Sequence, residues 1–234
     1  MKGAPSRPHL RASGDGLVLV EFEPVLDPAV NRRAVAVAHA IAAAGLAGVR
    51  DVVPAYACVG IHVDPLRLDA GALERAVADA CHAAADTHAD ADGRLIEIPV
   101  CYGGAHGPDL DEVAAFAGLD PAEVVRRHSE ATYRVYMLGF LPGFAYLGAV
   151  DPAIAMPRRQ APRPAVPAGS VGIAGRQTGV YPAVSPGGWR LIGQTPRRMF
   201  DPARLQPALL SAGDRVRFVP VPAEAWDRHV EGPQ

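Results

Sequence analysis

Apolar and polar residues alternate with a period of two across 17–23, where Val18, Val20 and Phe22 share one face, and this pattern predicts a strand. The period then lengthens. Asp27 stands as an N-cap with Pro28 in the first helical position. Val30, Ala34, Val37, Ala38 and Ile41 follow as one stripe that ends at Gly45, which predicts an amphipathic helix. Residues 49–56 and 57–63 read as two further strands. Asp69 opens a second helix striped by Leu73, Val77, Ala80, Cys81 and Ala84, and 94–100 reads as another strand. The order β-α-β-β-α-β is that of a split βαβ unit, so a ferredoxin-like α+β layer is expected.

Past residue 92 the pattern changes character, and a boundary is placed there, giving domains 1–92 and 93–234. The glycine-rich run CYGGAHGP (101–108) leads into Asp109 with Glu112 three residues on, a capping-box arrangement for a helix closed by Gly118. Asp120 and Pro121 start another short helix. Beyond 131 the helical period ends. Segments 133–138, 170–174, 189–192 and 215–219 are short strand candidates separated by Gly and Pro, as in a closed or nearly closed β-structure with long loops. The fold class is therefore α+β.

Composition narrows the function. Of 234 residues 49% are hydrophobic and 21% charged, and no apolar run approaches the ~20 residues of a membrane span, which excludes membrane-embedded and disordered classes. The net charge of −2 conceals an asymmetry: residues 51–130 carry five basic and fifteen acidic side chains, whereas 152–200 carry seven arginines and no carboxylate. Those arginines must find carboxylates elsewhere in the fold or on a partner, or bind anions. Lys2 is the only lysine, which excludes a Schiff base on an internal lysine and a phosphate-binding loop of the G-x-x-x-x-G-K-[ST] type. Cys58, Cys81 and Cys101 are widely spaced and no apolar leader opens the chain, so a reducing, cytoplasmic setting is expected.

Familiar catalytic signatures are weak. Ser170 sits in AGSVG, one residue short of a G-x-S-x-G nucleophile elbow, and the only later histidine is His229. Neither H-E-x-x-H nor paired Cys/His spacing occurs, so no metal site is expected. What stands out is 138–195. There Phe140, Phe144, Tyr146, Tyr181 and Trp189 alternate with Gly and Pro, and Arg158, Arg159, Arg163, Ser170, Gln177, Thr178 and Gln194 appear singly. Rigid aromatic walls with a few donors and a positive field suit a small-ligand pocket; the alternative is that the same residues close a barrel.

The stretches RLIEIPVCYGGAHGPDLDEVA (94–114), LGFLPGFAYLG (138–148) and MPRRQAPRPAVPAGSVGIAGRQTGVYPAVSPGGWRLIGQTP (156–196) resemble the KipI/allophanate hydrolase subunit 1 family, which includes 5-oxoprolinase subunits. The closing SAGDRVRFVP (211–220) shares the likeness, which covers most of the chain. Met156 stands where the family usually has Thr. The resemblance implies an N-terminal α+β domain followed by a cyclophilin-like β-barrel. It also implies a subunit, inactive alone, of a complex that uses ATP to open 5-oxo-L-proline to L-glutamate, with a KipA/PxpC-like subunit and a PxpA-like subunit as partners. Two alternatives go with it: a carboxyltransferase-type component of urea or allophanate metabolism, and a KipI-like inhibitor of a sensor histidine kinase. For a lactam carrying a carboxylate, Arg158 and Arg163 are the expected anion contacts, Ser170, Gln177 and Thr178 the hydrogen-bonding groups, and Phe144 and Tyr146 the pocket walls. Nucleic acid and membrane partners are not expected.

Overall fold

The computed structural model of the protein describes residues 8–85 and 93–225, and the chain divides into two units, 1–92 and 93–234. The first unit contains β1 (His9–Ala12), β2 (Leu17–Glu21), α1 (Pro28–Ala43), β3 (Val49–Pro54), β4 (Cys58–Val63) and α2 (Ala70–Ala85). Its strands form one antiparallel sheet in the order β1-β2-β4-β3, with β4 inserted between β2 and β3 as a split βαβ unit requires. Alternation puts Val20, Val59, Ile61 and Val63 on one face, where they pack against Ala34, Val37, Ile41, Leu73 and Val77 of the helices. Asp27 caps α1, its carboxylate accepting from the backbone N–H of Ala29 at 2.6 Å.

One strand assignment needs correction. The strand expected at 94–100 does not complete this sheet; β1 occupies the edge beside β2 instead. All four residues of β1 are exposed, and its polar-apolar alternation, His9-Leu10-Arg11-Ala12, is too short to mark a strand. Ladder hydrogen bonds and the Arg11–Glu21 ion pair at 2.8 Å hold it in place.

The displaced strand, β5 (Leu95–Tyr102), belongs to the second unit together with α3 (Leu110–Ala117), α4 (Pro121–Glu130), β6 (Thr132–Leu138), β7 (Ala145–Gly148), β8 (Arg163–Val166), β9 (Ser170–Ala174), β10 (Gln177–Val180), β11 (Ser185–Gly187), β12 (Arg190–Gln194) and β13 (Arg215–Pro220). Seven strands close a barrel in the order β10-β7-β6-β13-β5-β12-β9, and β8 pairs with β11 as a separate ribbon. The long parallel pairing of β5 with β13, from Leu95 against Arg215 to Val100 against Pro220, explains the destination of β5. Its Ile98, Val100 and Cys101 are buried, and Ile98 and Val100 join Val135, Ile173, Ile192 and Phe218 in the barrel core. The helices and strands expected for 109–130, 133–138, 170–174, 189–192 and 215–219 form within two residues of those limits. Strands β7, β8, β10 and β11 are only three or four residues long and rich in Gly or Pro, which is why periodicity missed them. No helix among the described residues is long and apolar enough to cross a membrane.

Candidate functional site

A cleft of about 300 Å³ opens in the second unit, lined by Phe140, Phe144, Tyr146, Arg158, Arg159, Pro162, Tyr181, Pro186, Gly187, Gly188 and Trp189. Several separate loops build it. The β6–β7 turn brings Phe140 and Phe144, β7 brings Tyr146, the segment before β8 brings both arginines, and the β10–β11 and β11–β12 connections bring Tyr181 and Trp189. Phe144 is the hub. Its ring meets those of Tyr146, Tyr181 and Trp189 edge-on at 4.9, 5.3 and 5.4 Å between centroids, the geometry that aromatic quadrupoles favour. Phe144, Tyr181 and Trp189 are almost fully buried and form a small apolar core of their own under the cleft. Phe140 differs: it is 60% exposed at the mouth and carries a φ of 69°, a region that non-glycine residues seldom occupy. Gly187 is required sterically, because a Cβ there would lie 2.4 Å from the Tyr181 hydroxyl oxygen.

Charge at the cleft is organised by Asp109. Its carboxylate is nearly buried and accepts two hydrogen bonds from the Arg163 guanidinium, at 2.7 and 2.9 Å, and one from the Leu191 N–H at 2.7 Å. Arg159 Nη1 adds a longer contact at 3.4 Å. Burial pushes the Asp109 pKa upward, but the hydrogen bonds from Arg163 and Leu191 and the charges of Arg163 and Arg159 outweigh it and hold the carboxyl below its ordinary value. This corrects the capping-box expectation. Asp109 makes no side-chain cap on α3, and Glu112 instead pairs with Arg190 at 2.7 Å.

Arg158 stands apart from this cluster. It is exposed, its Cζ lies 5.9 Å from the Trp189 ring centroid, and among the described residues no carboxylate lies within 4.0 Å of it. Burial raises the pKa of Tyr181, opposed by the hydrogen bond its hydroxyl accepts from the Trp189 backbone and by the charge of Arg158.

The expected site residues therefore separate into two groups. Arg158, Phe144 and Tyr146 come together in the cleft. Arg163 does not line it; its guanidinium pairs with Asp109 at 2.7 Å. Ser170, Gln177 and Thr178 also lie outside the cleft lining. Ser170 is 2% exposed in β9, with β10 rather than a helix following, which removes the elbow reading; His229 lies outside the described residues.

Thr178 is fully buried in a polar chain inside the barrel that sequence reasoning missed. Its hydroxyl donates to the Gly172 carbonyl at 2.9 Å, so its oxygen accepts from His128 Nε2–H at 2.9 Å. The remaining nitrogen, Nδ1, then accepts from the Tyr102 hydroxyl at 2.8 Å. Every donor has an acceptor only if His128 is neutral, and burial lowers its pKa to about 3. Phe218 stacks on the ring at 4.7 Å. The signal available in sequence was a histidine on the inner stripe of a short helix, and nothing marked it as more than a core residue. Among the described residues no group of three or more His, Cys, Asp or Glu side chains is placed to hold a metal ion. All three cysteines are free thiols whose pKa values burial raises, which does not suit a nucleophile.

Comparison with known proteins places this geometry in context. The family model described as carboxyltransferase domain, subdomain C and D, matches residues 8–210. The B subunit of 5-oxoprolinase from Bacillus subtilis (strain 168) is 40% identical over 235 residues, covering 96% of this chain and 98% of that protein. The corresponding 5-oxoprolinase B subunit of Escherichia coli O157:H7 is 60% identical over 129 residues, or 55% of this chain and 59% of that one. Among solved structures, TTHA0988 superposes with a TM-score of 0.78 at 41% identity over 91% of this chain, and this chain spans 40% of the TTHA0988 chain.

Proposed function

The chain belongs to the carboxyltransferase domain family, subdomains C and D, and from that premise we propose that it is the B subunit of a 5-oxoprolinase. The observation that carries the reading is the 40% identity with a 5-oxoprolinase B subunit along nearly the whole of both chains. The complex opens 5-oxo-L-proline to L-glutamate at the expense of ATP. A lactam is an unreactive amide; phosphorylation of its oxygen makes the carbonyl carbon electrophilic, water adds, the ring C–N bond breaks, and the nitrogen leaves as the amine of glutamate while phosphate is released.

The cleft supports a binding part in this reaction. Among the described residues its lining holds two tyrosines and two arginines and no carboxylate, histidine or cysteine, the side chains most used for proton transfer. Acid–base groups and the ATP site are assigned to the partners, a KipA/PxpC-like and a PxpA-like subunit, so this chain alone turns nothing over.

The test is glutamate release from 5-oxoproline and ATP, by the purified chain and by the chain assembled with those partners. Release is expected from the assembly only. An assembled complex that releases no glutamate overturns the reading, and release by the chain alone overturns the division of labour.

A further inference from the structure

Three arginines approach the cleft, and the structure makes them unequal. Asp109 takes both Nη groups of Arg163 at 2.7 and 2.9 Å and, at 3.4 Å, Nη1 of Arg159, so the charge of that trio is partly neutralised and the Nη groups of Arg163 are engaged. Arg158 has no carboxylate within 4.0 Å among the described residues, is exposed, and lines the cleft. It stands over Trp189 at 5.9 Å, a cation–π placement that orders the guanidinium without consuming its N–H groups. A planar fork of free donors beside an aromatic wall is a receptor for a carboxylate carried on a small ring. Phe140, held exposed at the mouth against Phe144 with ring centroids 5.5 Å apart, offers a further wall to such a ring.

We infer that Arg158 is the residue that reads the ligand's carboxylate, and that the cleft thereby selects small ring acids over their neutral counterparts. The inference rests on the 5-oxoprolinase reading for the identity of the acid, 5-oxoproline. Arg163, outside the lining and paired with Asp109, acts by holding the wall, and Arg159, which lines the cleft 3.4 Å from Asp109, is the secondary cation there.

The experiment uses the assembled complex carrying wild-type chain, Arg158→Met or Arg158→Lys. For each, kcat and KM are measured with 5-oxoproline, with its neutral carboxamide and with ATP, alongside equilibrium binding of 5-oxoproline. Arg158→Met is expected to raise KM for the acid about 10- to 100-fold, the loss of a charge-assisted contact, with the carboxamide and ATP constants unmoved. The preference for acid over amide then collapses, and Arg158→Lys falls between because it keeps the charge and loses the fork. A preference for the acid that survives in Arg158→Met overturns the assignment, as does a rise in the KM for ATP instead. If the wild-type complex binds 5-oxoproline in an Arg158-dependent way yet releases no glutamate, the enzymatic reading fails and the carboxylate site stands. If 5-oxoproline does not bind, the carboxylate site fails.

Discussion

Replacing Asp109 by Ala removes the acceptor around which one wall of the cleft is assembled. The side chain is 3% exposed and satisfies three close donors, two on Arg163 and the Leu191 N–H, at 2.7 to 2.9 Å. Deleting it strands a guanidinium whose side chain is 23% exposed and leaves a buried backbone N–H unpaired. Breaking one partner out of a buried ion pair costs about 3–5 kcal/mol. Because Arg163 keeps some contact with water, a loss near ~3 kcal/mol is expected, which lowers the melting temperature by roughly 6–12 °C. Trp189 lines the cleft of the second unit, so urea unfolding followed by its fluorescence in a Trp226→Phe background reports on that unit. The double variant Asp109→Ala with Arg163→Met removes the stranded charge as well and should recover part of the loss, a coupling of about 1–3 kcal/mol. A loss below about 1 kcal/mol in Asp109→Ala, or a double variant as unstable as the sum of the single ones, would refute the claim that the pair organises the wall.

Other outcomes follow from the same geometry. Unfolding lets His128 regain its ordinary pKa of about 6.5, so below that pH the unfolded chain binds a proton that the folded one, at about 3, refuses. The stability that His128 contributes is complete above about pH 6.5 and falls away as the pH drops, by about 2 kcal/mol at pH 5. Urea midpoints at pH 7 and pH 5 should differ less in His128→Asn than in the wild type, and equal differences would sink the account. Thr178→Val leaves the His128 Nε2–H without an acceptor and should cost about 1–3 kcal/mol of stability, with KM for 5-oxoproline unchanged in the assembled complex. A raised KM would return Thr178 to the substrate site. Gly187→Ala pushes a methyl group into Tyr181 and should destabilise the second unit by about 1–3 kcal/mol while weakening ligand binding in the cleft, both measurable on the purified complex.

Local chemistry was legible in the sequence wherever one face of an element meets one core. The α1 stripe from Ala34 to Ile41, its Asp27–Pro28 start and the Val20 alternation are each set by neighbours a few residues away, and the structure keeps them. The clustering of aromatic residues, Gly and Pro in 138–195 likewise pointed to the loops that line the cleft. Tertiary structure decided partners distant in the chain. Whether β5 completes the first sheet or joins the barrel depends on the parallel pairing with β13, over a hundred residues later, and both destinations bury the same apolar run. Seven arginines without a local carboxylate could not reveal which of them would be neutralised. Asp109 claims Arg163 across 54 residues and Glu112 claims Arg190 across 78, and only the closed barrel brings these charges together. A period along the chain records which face of an element is buried; the identity of the group opposite that face is a property of the fold, and it leaves Arg158 as the free cation in the cleft among the described residues.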